Sequence, residues 1–280
     1  MENQQPPGYP SLTKSYKGRF PFKIATTSFI YPDHYIPNVK MLGPYMDEIE
    51  LLLFESTGPD ALPSRSVIAE LGRLAGEFDL SYNVHLPTDI SISDPNPGLQ
   101  KQAVATMLRV MERVSPLDPS ALILHIPWIG SSLDTSSVSR WQDRVYHNLK
   151  KMVSAIEKEG VIAVETLDYP LKLLDDIIAD LKLVICLDLG HLLVYGYNVT
   201  EVFSRYGHQT SVLHLHGIEN GRDHVALDRL PDESAQSVLG VLKNFTGVVS
   251  VEVFSFENLQ SSLNFLESQW EARNPCQATS

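Results

Sequence analysis

The 280-residue chain is 43% hydrophobic and 20% charged, so intrinsic disorder is not its default and one sizeable core is within reach. A net charge of −12 argues against a broad nucleic-acid groove, which needs a basic face to displace counterions, though a small anionic substrate held at a metal ion stays open. Two cysteines, Cys186 and Cys276, make neither a disulfide framework nor a zinc-finger spacing, and no long apolar stretch marks a signal peptide or membrane span, so a reducing cytoplasmic setting and no membrane partner are expected.

The opening "MENQQPPGYPSLTKSYKGRF" (1–20) reads as a flexible, Pro-containing lead-in and 273–280 as a tail in which Cys276 is incidental, leaving 21–272 for one domain. Within it, short apolar runs rich in β-branched residues alternate with segments of helical period. In chain order the strand candidates are "FKIATTSFI" (22–30), "IELLLFES" (49–56), "LSYNVHLP" (80–87) and "ALILHIP" (121–127). They continue with "VIAVETL" (161–167), "LKLVICLDLGH" (181–191), "SVLHLHGI" (211–218) and "VVSVEVFS" (248–255). Helices are expected over 64–78, 99–114 and 138–160, the last stopped by Gly160, and the irregular stretches 88–98 and 127–137 follow the third and fourth strands. Eight β-then-α units predict a single-domain (β/α)8 barrel, a closed parallel sheet of the α/β class. No G-x-G-x-x-G follows the first strand, which removes the best signature of the open dinucleotide-binding alternative.

In such a barrel, reactive groups collect at the C-terminal ends of the strands. Here those ends carry Glu55, His85, His125, Glu165, Asp188 with His191, His214 with His216, and Glu252. Three of the nine histidines (His214, His216 and His224) fall within eleven residues. Glu165, Asp188, a histidine of "HLH" and Glu252 come one from each neighbouring strand, and three converging carboxylates would raise one another's pKa unless a cation joined them. The mixed nitrogen and oxygen donors suit Mn²⁺, Zn²⁺, Co²⁺ or Fe²⁺. Beside the first strand, Phe29, Ile30, Tyr31 and Tyr35 either line a pocket or plug the base of a loop, and Tyr82, Trp128, Tyr169 and Phe254 sit in comparable places. Glu55 is either an orienter of a histidine or a plain polar strand end.

"CLDLGH" (186–191), "HLHGIENGR" (214–222) and "VEVF" (251–254) together resemble the xylose isomerase-like barrel superfamily, which holds sugar isomerases and epimerases as well as abasic-site nucleases. The resemblance implies a metal quartet of Glu165, Asp188, His216 and Glu252, because His216 has Glu219 three residues on and His214 has no such partner. Arg222, six residues beyond His216, matches the ketose 3-epimerases, whereas His85, His125 and His224 match the further metal histidines of the nuclease branch. That branch has an aspartate two residues before its last histidine; here the position is Arg222, and Asp223 is displaced by one, which puts a third metal in question.

"TTSFIYPDHYIPNVKMLGPYMDEIELLLFES" (26–56), "YNVHLP" (82–87), "CLDLGHL" (186–192) and "LHLHGIENGRDHVALDRLP" (213–231) are similar to the cobamide-remodelling phosphodiesterase family CbiR. What this resemblance implies is metal-dependent hydrolysis of the nucleotide loop of a cobamide, a B12-type corrinoid, to α-ribazole and cobinamide phosphate. One to three divalent ions (Mn, Zn or Co) would serve it. His85 and His125 would hold a second metal or the phosphate, Arg222 would neutralise the phosphoryl oxygens, and His191 or His224 would protonate the leaving ribose oxygen. His214, Tyr31 and Phe29 would meet the small-molecule substrate. The competing class is a metal-dependent sugar or sugar-phosphate isomerase or epimerase. A binding protein that keeps the barrel only as architecture fits so many reactive side chains less well, and an abasic-site nuclease lacks its basic surface.

Overall fold

Short strands and helices follow one another along the computed structural model, which describes residues 8–54, 56, 62–130 and 132–273; Glu55 and Cys276 lie outside the described residues. The first half runs β1 (Lys23–Thr27), α1 (Tyr35–Leu42), β2 (Glu48–Leu52), α2 (Arg65–Phe78), β3 (Ser81–His85), α3 (Pro97–Val114), β4 (Leu122–Leu124) and α4 (Thr135–Val153). Next come β5 (Ile162–Glu165), α5 (Asp175–Asp180), β6 (Val184–Asp188), α6 (Leu189–Val194) and α7 (Val199–Tyr206). The chain finishes with β7 (Thr210–Leu215), β8 (Gly217–Glu219), β9 (Arg222–Val225), α8 (Asp232–Leu242), β10 (Val248–Val251) and α9 (Phe256–Arg273). Eight strands close a barrel in the order β1-β10-β7-β6-β5-β4-β3-β2, every pairing parallel, and β8 and β9 form a separate antiparallel hairpin. The expected single-domain (β/α)8 barrel is therefore the observed fold. Among the described residues, no helix is long and apolar enough to cross a membrane.

Local signals set most helix starts. Ser64 caps α2 by accepting from Val67 N, Asn96 caps α3 by accepting from Gly98 N and Leu99 N with Pro97 at the first turn, and Asp134 caps α4 by accepting from Ser136 N and Ser137 N. Ile68, Leu71 and Leu74 give α2 a buried stripe at helical spacing. α4 ends at Val153 rather than at Gly160, because Ser154 Oγ donates to the Lys150 carbonyl and the backbone then turns through Ala155 and Ile156. Gly160 instead takes a left-handed turn, φ +68°, just ahead of β5. The strands are also shorter than the apolar runs that announced them, since only the middle of each run is hydrogen-bonded into the barrel.

The lead-in is not loose from residue 8 onward. Leu12 and Tyr16 are buried, Tyr16 N donates to the Tyr45 carbonyl, Phe20 meets Trp270 of α9 edge-on, and Lys14 and Arg19 both pair with Glu267. At the opposite, N-terminal end of the barrel, Glu48 is fully buried and accepts from Asn83 Nδ2 at 2.9 Å, from Ser81 Oγ at 2.5 Å and from Ser120 Oγ. That carboxylate is satisfied within the fold.

Candidate metal centre

Side chains alternate faces along a strand, so residues two apart share one face. Ala25, Ile123, Ala163, Cys186, Val212 and Val248 form a small buried cluster inside the barrel, distinct from the main core around it. Two residues beyond Ile123, Ala163, Cys186 and Val212 stand His125, Glu165, Asp188 and His214, which the same alternation lifts to the next level at the C-terminal mouth. Strand register aligns Asp188 with His214 and Glu165 with Cys186. His85 ends β3 and Glu252 directly follows β10.

Among the described residues five groups of ligand atoms lie close enough to share a cation; two of them, Glu165–Cys186–His214 and Glu50–His85–Glu252, overlap the three described next. In the first, Glu165, Asp188, His214 and Glu252 bring one ligand atom each within 4.8 Å of the others. His214 Nδ1 stands 3.1 Å from Glu252 Oε2, 3.4 Å from Glu165 Oε1 and 3.7 Å from Asp188 Oδ2. In the second, His125 Nε2 and His85 Nε2 lie 2.8 and 3.1 Å from Glu165 Oε2, so the Glu165 carboxylate belongs to both sets. The third holds three imidazoles, His191, His216 and His224, with the His216 and His224 ring centres 4.2 Å apart. His216 Nε2 reaches Asp188 Oδ1 at 3.1 Å and ties the third set to the first.

The backbone holds these groups in place. Asp188 both ends β6 and caps α6, accepting from His191 N at 2.7 Å, while its own N–H donates to Thr166 Oγ1 at 2.9 Å. The Asn220-Gly221 turn, both residues left-handed at φ +54° and +75°, folds β8 back on β9. That hairpin carries His224 to the site in a left-handed conformation of its own, φ +51°, with Nδ1 3.1 Å from the Glu252 carbonyl. Gly190 leaves the room that the third set needs, because a Cβ there would lie 2.0 Å from His216 Cε1.

Burial opposes the charge on Glu165, Asp188, Glu252, His85, His214 and His216, yet the mutual attraction outweighs it. Glu165 is held well below the usual carboxylate range against its burial, by His125 and His214; Asp188 likewise, by His216 and His191. Glu252 is lowered to about 2 despite burial, chiefly by His214, and His216 is raised to about 9 despite burial, chiefly by Asp188. Without a cation the site is thus a knot of carboxylates and imidazolium-prone rings.

The residues fit a divalent metal. Asp188 Oδ2, Glu252 Oε2, His214 Nδ1 and His216 Nε2 are buried and make no hydrogen bond of good geometry, although each lies 3.1–3.3 Å from an imidazole or carboxylate atom. Orphaned ligand atoms of both donor types in one place are what a nitrogen- and oxygen-loving cation resolves. Cys186 Sγ also lies within reach of Glu165 and His214, but burial pushes its thiol up, away from the thiolate a metal needs.

Several expected positions move. His214, assigned above to the substrate, closes the quartet, and His216, assigned to the quartet, joins His191 and His224, because His214 lies within β7 and His216 just past its end. His216 fills the corner that a carboxylate was expected to occupy, while Asp223 is exposed. His85 and His125 meet on Glu165, as one cluster. Arg222 is exposed at the start of β9, outside the ligand sets. Tyr31 is buried, donates its hydroxyl to the Pro10 carbonyl at 2.7 Å and stacks on Tyr9 and Phe256, which fits the plug of the two readings. Phe29, 45% exposed, is open at the mouth.

A family model described as xylose isomerase-like TIM barrel matches residues 39–269. The chain belongs to that family. Among solved structures, a D-tagatose 3-epimerase-like protein is 22% identical, with a TM-score of 0.74 over 91% of this chain and 99% of its own. The 3-keto-D-glucoside 4-epimerase YcjR of E. coli is 15% identical, with a TM-score of 0.68 over 88% and 99%. The IolI protein, solved with a bound zinc atom, is 16% identical, with a TM-score of 0.65 over 92% and 100%. At these identities the likeness establishes the fold. No curated protein matches the chain in sequence.

Proposed function

We propose that this barrel is a metal-dependent phosphodiesterase. The observation that carries the reading is the Glu165 carboxylate, one oxygen facing His85 and His125 and the other facing the Asp188–His214–Glu252 set. A carboxylate shared between two ligand sets is the usual frame for splitting a phosphate ester, where the cations neutralise phosphoryl oxygens and lower the pKa of the attacking water. Hydrolysis joins the water oxygen to phosphorus, breaks the bond from phosphorus to the ribose oxygen, and leaves that oxygen needing a proton. His191 and His224, with side chains 12% and 22% exposed, stand on the open side of the site and would deliver it. Arg222, two residues before His224 on the same hairpin, would reach the phosphoryl oxygens with its planar fork.

Substrate size is supported by the rim. Phe29, Ile129, Leu133, Val194, Tyr195 and Phe254 are six of the seven large apolar residues that are exposed among those described, and all six lie on segments that follow strand ends. Of these, Phe254 lies 5.1 Å from the His224 ring and Tyr195 6.1 Å from the His191 ring, and exposed apolar groups beside a charged site suit a broad molecule with an internal phosphodiester better than a small hydrophilic sugar. Together with the segment resemblance, this makes the cobamide nucleotide loop our proposed substrate and Mn²⁺, Zn²⁺ or Co²⁺ the proposed cofactor, in a cytoplasmic setting. The second reading, a sugar or sugar-phosphate epimerase, is favoured by the structural neighbours, two of which are named as sugar epimerases or their like, and by Glu165 and Glu252 flanking His214.

The test is incubation of the purified protein with adenosylcobalamin and each metal, with and without EDTA, and product identification by mass. Metal-dependent release of α-ribazole, lost in Glu165→Gln and Asp188→Asn, is the expected result. No cleavage with any metal, together with turnover in a ketose panel, replaces the first reading with the second.

A further inference from the structure

β2 places two glutamates on the inner face of the barrel, Glu48 and Glu50, and both are fully buried. Their surroundings differ sharply. Glu48 accepts from Ser81, Asn83 and Ser120. Glu50, one level higher, has no hydrogen-bond partner on either oxygen. An unsatisfied buried carboxylate costs several kcal/mol and survives in a fold only where something else uses it.

The group it faces is His214. Glu50 Oε2 stands 3.2 Å from His214 Nε2, and both side chains are 0% exposed. The opposite ring nitrogen, Nδ1, points to Glu252, Glu165 and Asp188. His85, the other imidazole near Glu50, has both nitrogens engaged: Nδ1 with the Leu86 carbonyl and Nε2 with Glu165. His214 therefore sits between a lone carboxylate beneath it and three ligand-type carboxylates around it. An imidazole that binds a metal through one nitrogen must carry its proton on the other, and a carboxylate there fixes both the tautomer and the ring plane.

We propose that Glu50 is the positioning residue of the metal centre, its carboxylate holding the Nε2–H of His214 so that Nδ1 is presented, unprotonated, to a cation shared with Glu165, Asp188 and Glu252. The inference rests on the metal-centre reading of those four residues. It also explains why Glu50 lacks the serine and asparagine donors that satisfy Glu48: its partner is a ligand, and a second donor would compete with the ring.

The test measures Co²⁺ affinity of the full chain by competition with a coloured chelator, alongside thermal melting in EDTA, for Glu50→Gln and Glu50→Met. Both variants keep the side chain's length and remove its charge. We expect Co²⁺ binding to weaken by about 10–100-fold in both, with a changed Co²⁺ absorption spectrum. Melting of the metal-free protein should fall in Glu50→Met, which leaves the buried His214 Nε2–H without an acceptor, and fall less in Glu50→Gln, whose amide oxygen can still accept it. Affinity within about threefold of the parent overturns the assignment. So does an affinity loss in both variants with an unchanged Co²⁺ absorption spectrum, which is the mark of a purely structural residue. A parent protein that takes up no Co²⁺ overturns the metal centre itself, an outcome distinct from failure of the Glu50 role.

Discussion

Replacing Glu165 with glutamine perturbs more of this site than any other single change. The carboxylate faces four imidazoles: His125 at 2.8 Å, His85 at 3.1 Å, His214 at 3.4 Å and His191 at 3.6 Å. At such distances one opposite charge is worth about 5–6 kcal/mol before desolvation is subtracted, in an effective dielectric near 20. Net of desolvation, removing one partner from a buried charge network costs about 3–5 kcal/mol. At roughly 2–4 °C per kcal/mol for a chain of this size, the metal-free Glu165→Gln protein should melt some 6–20 °C lower. Its effect on metal is the sharper test. Because Glu165 belongs to both sets, Glu165→Gln should depress Mn²⁺ or Co²⁺ binding at both, by more than the ~10–100-fold that follows loss of a residue that merely orients a ligand. His125→Ala should empty only the His85–His125 set and spare the quartet. Metal content per chain after dialysis, with competition titrations, separates these outcomes. Undiminished binding at either set in Glu165→Gln would refute the shared-carboxylate argument.

Three further outcomes follow from the geometry. His216 rises from 6.5 to about 9 on folding, so its roughly 3 kcal/mol of stabilisation is present below pH 6.5 and is lost as pH climbs through about 9. Glu252, lowered from 4.5 to about 2, adds stabilisation that is present above pH 4.5 and is lost as pH falls through about 2. Metal-free melting temperature should therefore peak between these limits, and scanning fluorimetry in EDTA that shows no decline from pH 6.5 to 9 would contradict the His216–Asp188 pairing. Gly190→Ala, which sets a Cβ 2.0 Å from the His216 ring, should cut turnover at least tenfold while leaving Glu165, Asp188, His214 and Glu252 their metal, a split read by kinetics beside metal analysis. Phe254→Ala, at the rim 5.1 Å from His224, should raise KM for a cobamide roughly tenfold with little change in kcat; unchanged KM would remove the rim from substrate contact.

The barrel was legible because alternation of apolar runs and helical segments is written along the whole chain, and each ligand strand shows its inward face as a small or apolar residue two before a polar one: Ala163 and Glu165, Cys186 and Asp188, Val212 and His214. The choice between His214 and His216 was not, since residues two apart share a face and only the place where β7 ends decides which ring enters the quartet. Spacing to Glu219 pointed to His216, but Glu219 is exposed on the hairpin and pairs with Arg229. The hairpin itself had a signal, Asn220-Gly221, the strongest short-range mark of a two-residue turn, hidden among the histidines that drew attention. Glu50 was missed because the second strand was read to its end at Glu55, whereas the hydrogen-bonded strand stops at Leu52 and turns Glu50 inward. Tyr31 could not have been placed from sequence, for its partners Tyr9, Pro10 and Phe256 come from opposite ends of the chain.

The carboxylates of the metal-free site lend one further support to the hydrolytic reading we propose. Abstracting a proton beside a carbonyl needs a base whose pKa lies near the working pH. Glu165 is pulled well below the carboxylate range by His125 and His214, and Glu252 is lowered to about 2, chiefly by His214; a cation among them would lower both further. Such groups hold cations well and take protons badly. In the proposed hydrolysis the proton would come from His191 or His224, whose side chains are 12% and 22% exposed. A phosphodiester asks for anionic ligands to hold metal and a separate imidazole at the leaving oxygen, whereas an epimerase asks the same two glutamates to bind metal and to act as bases.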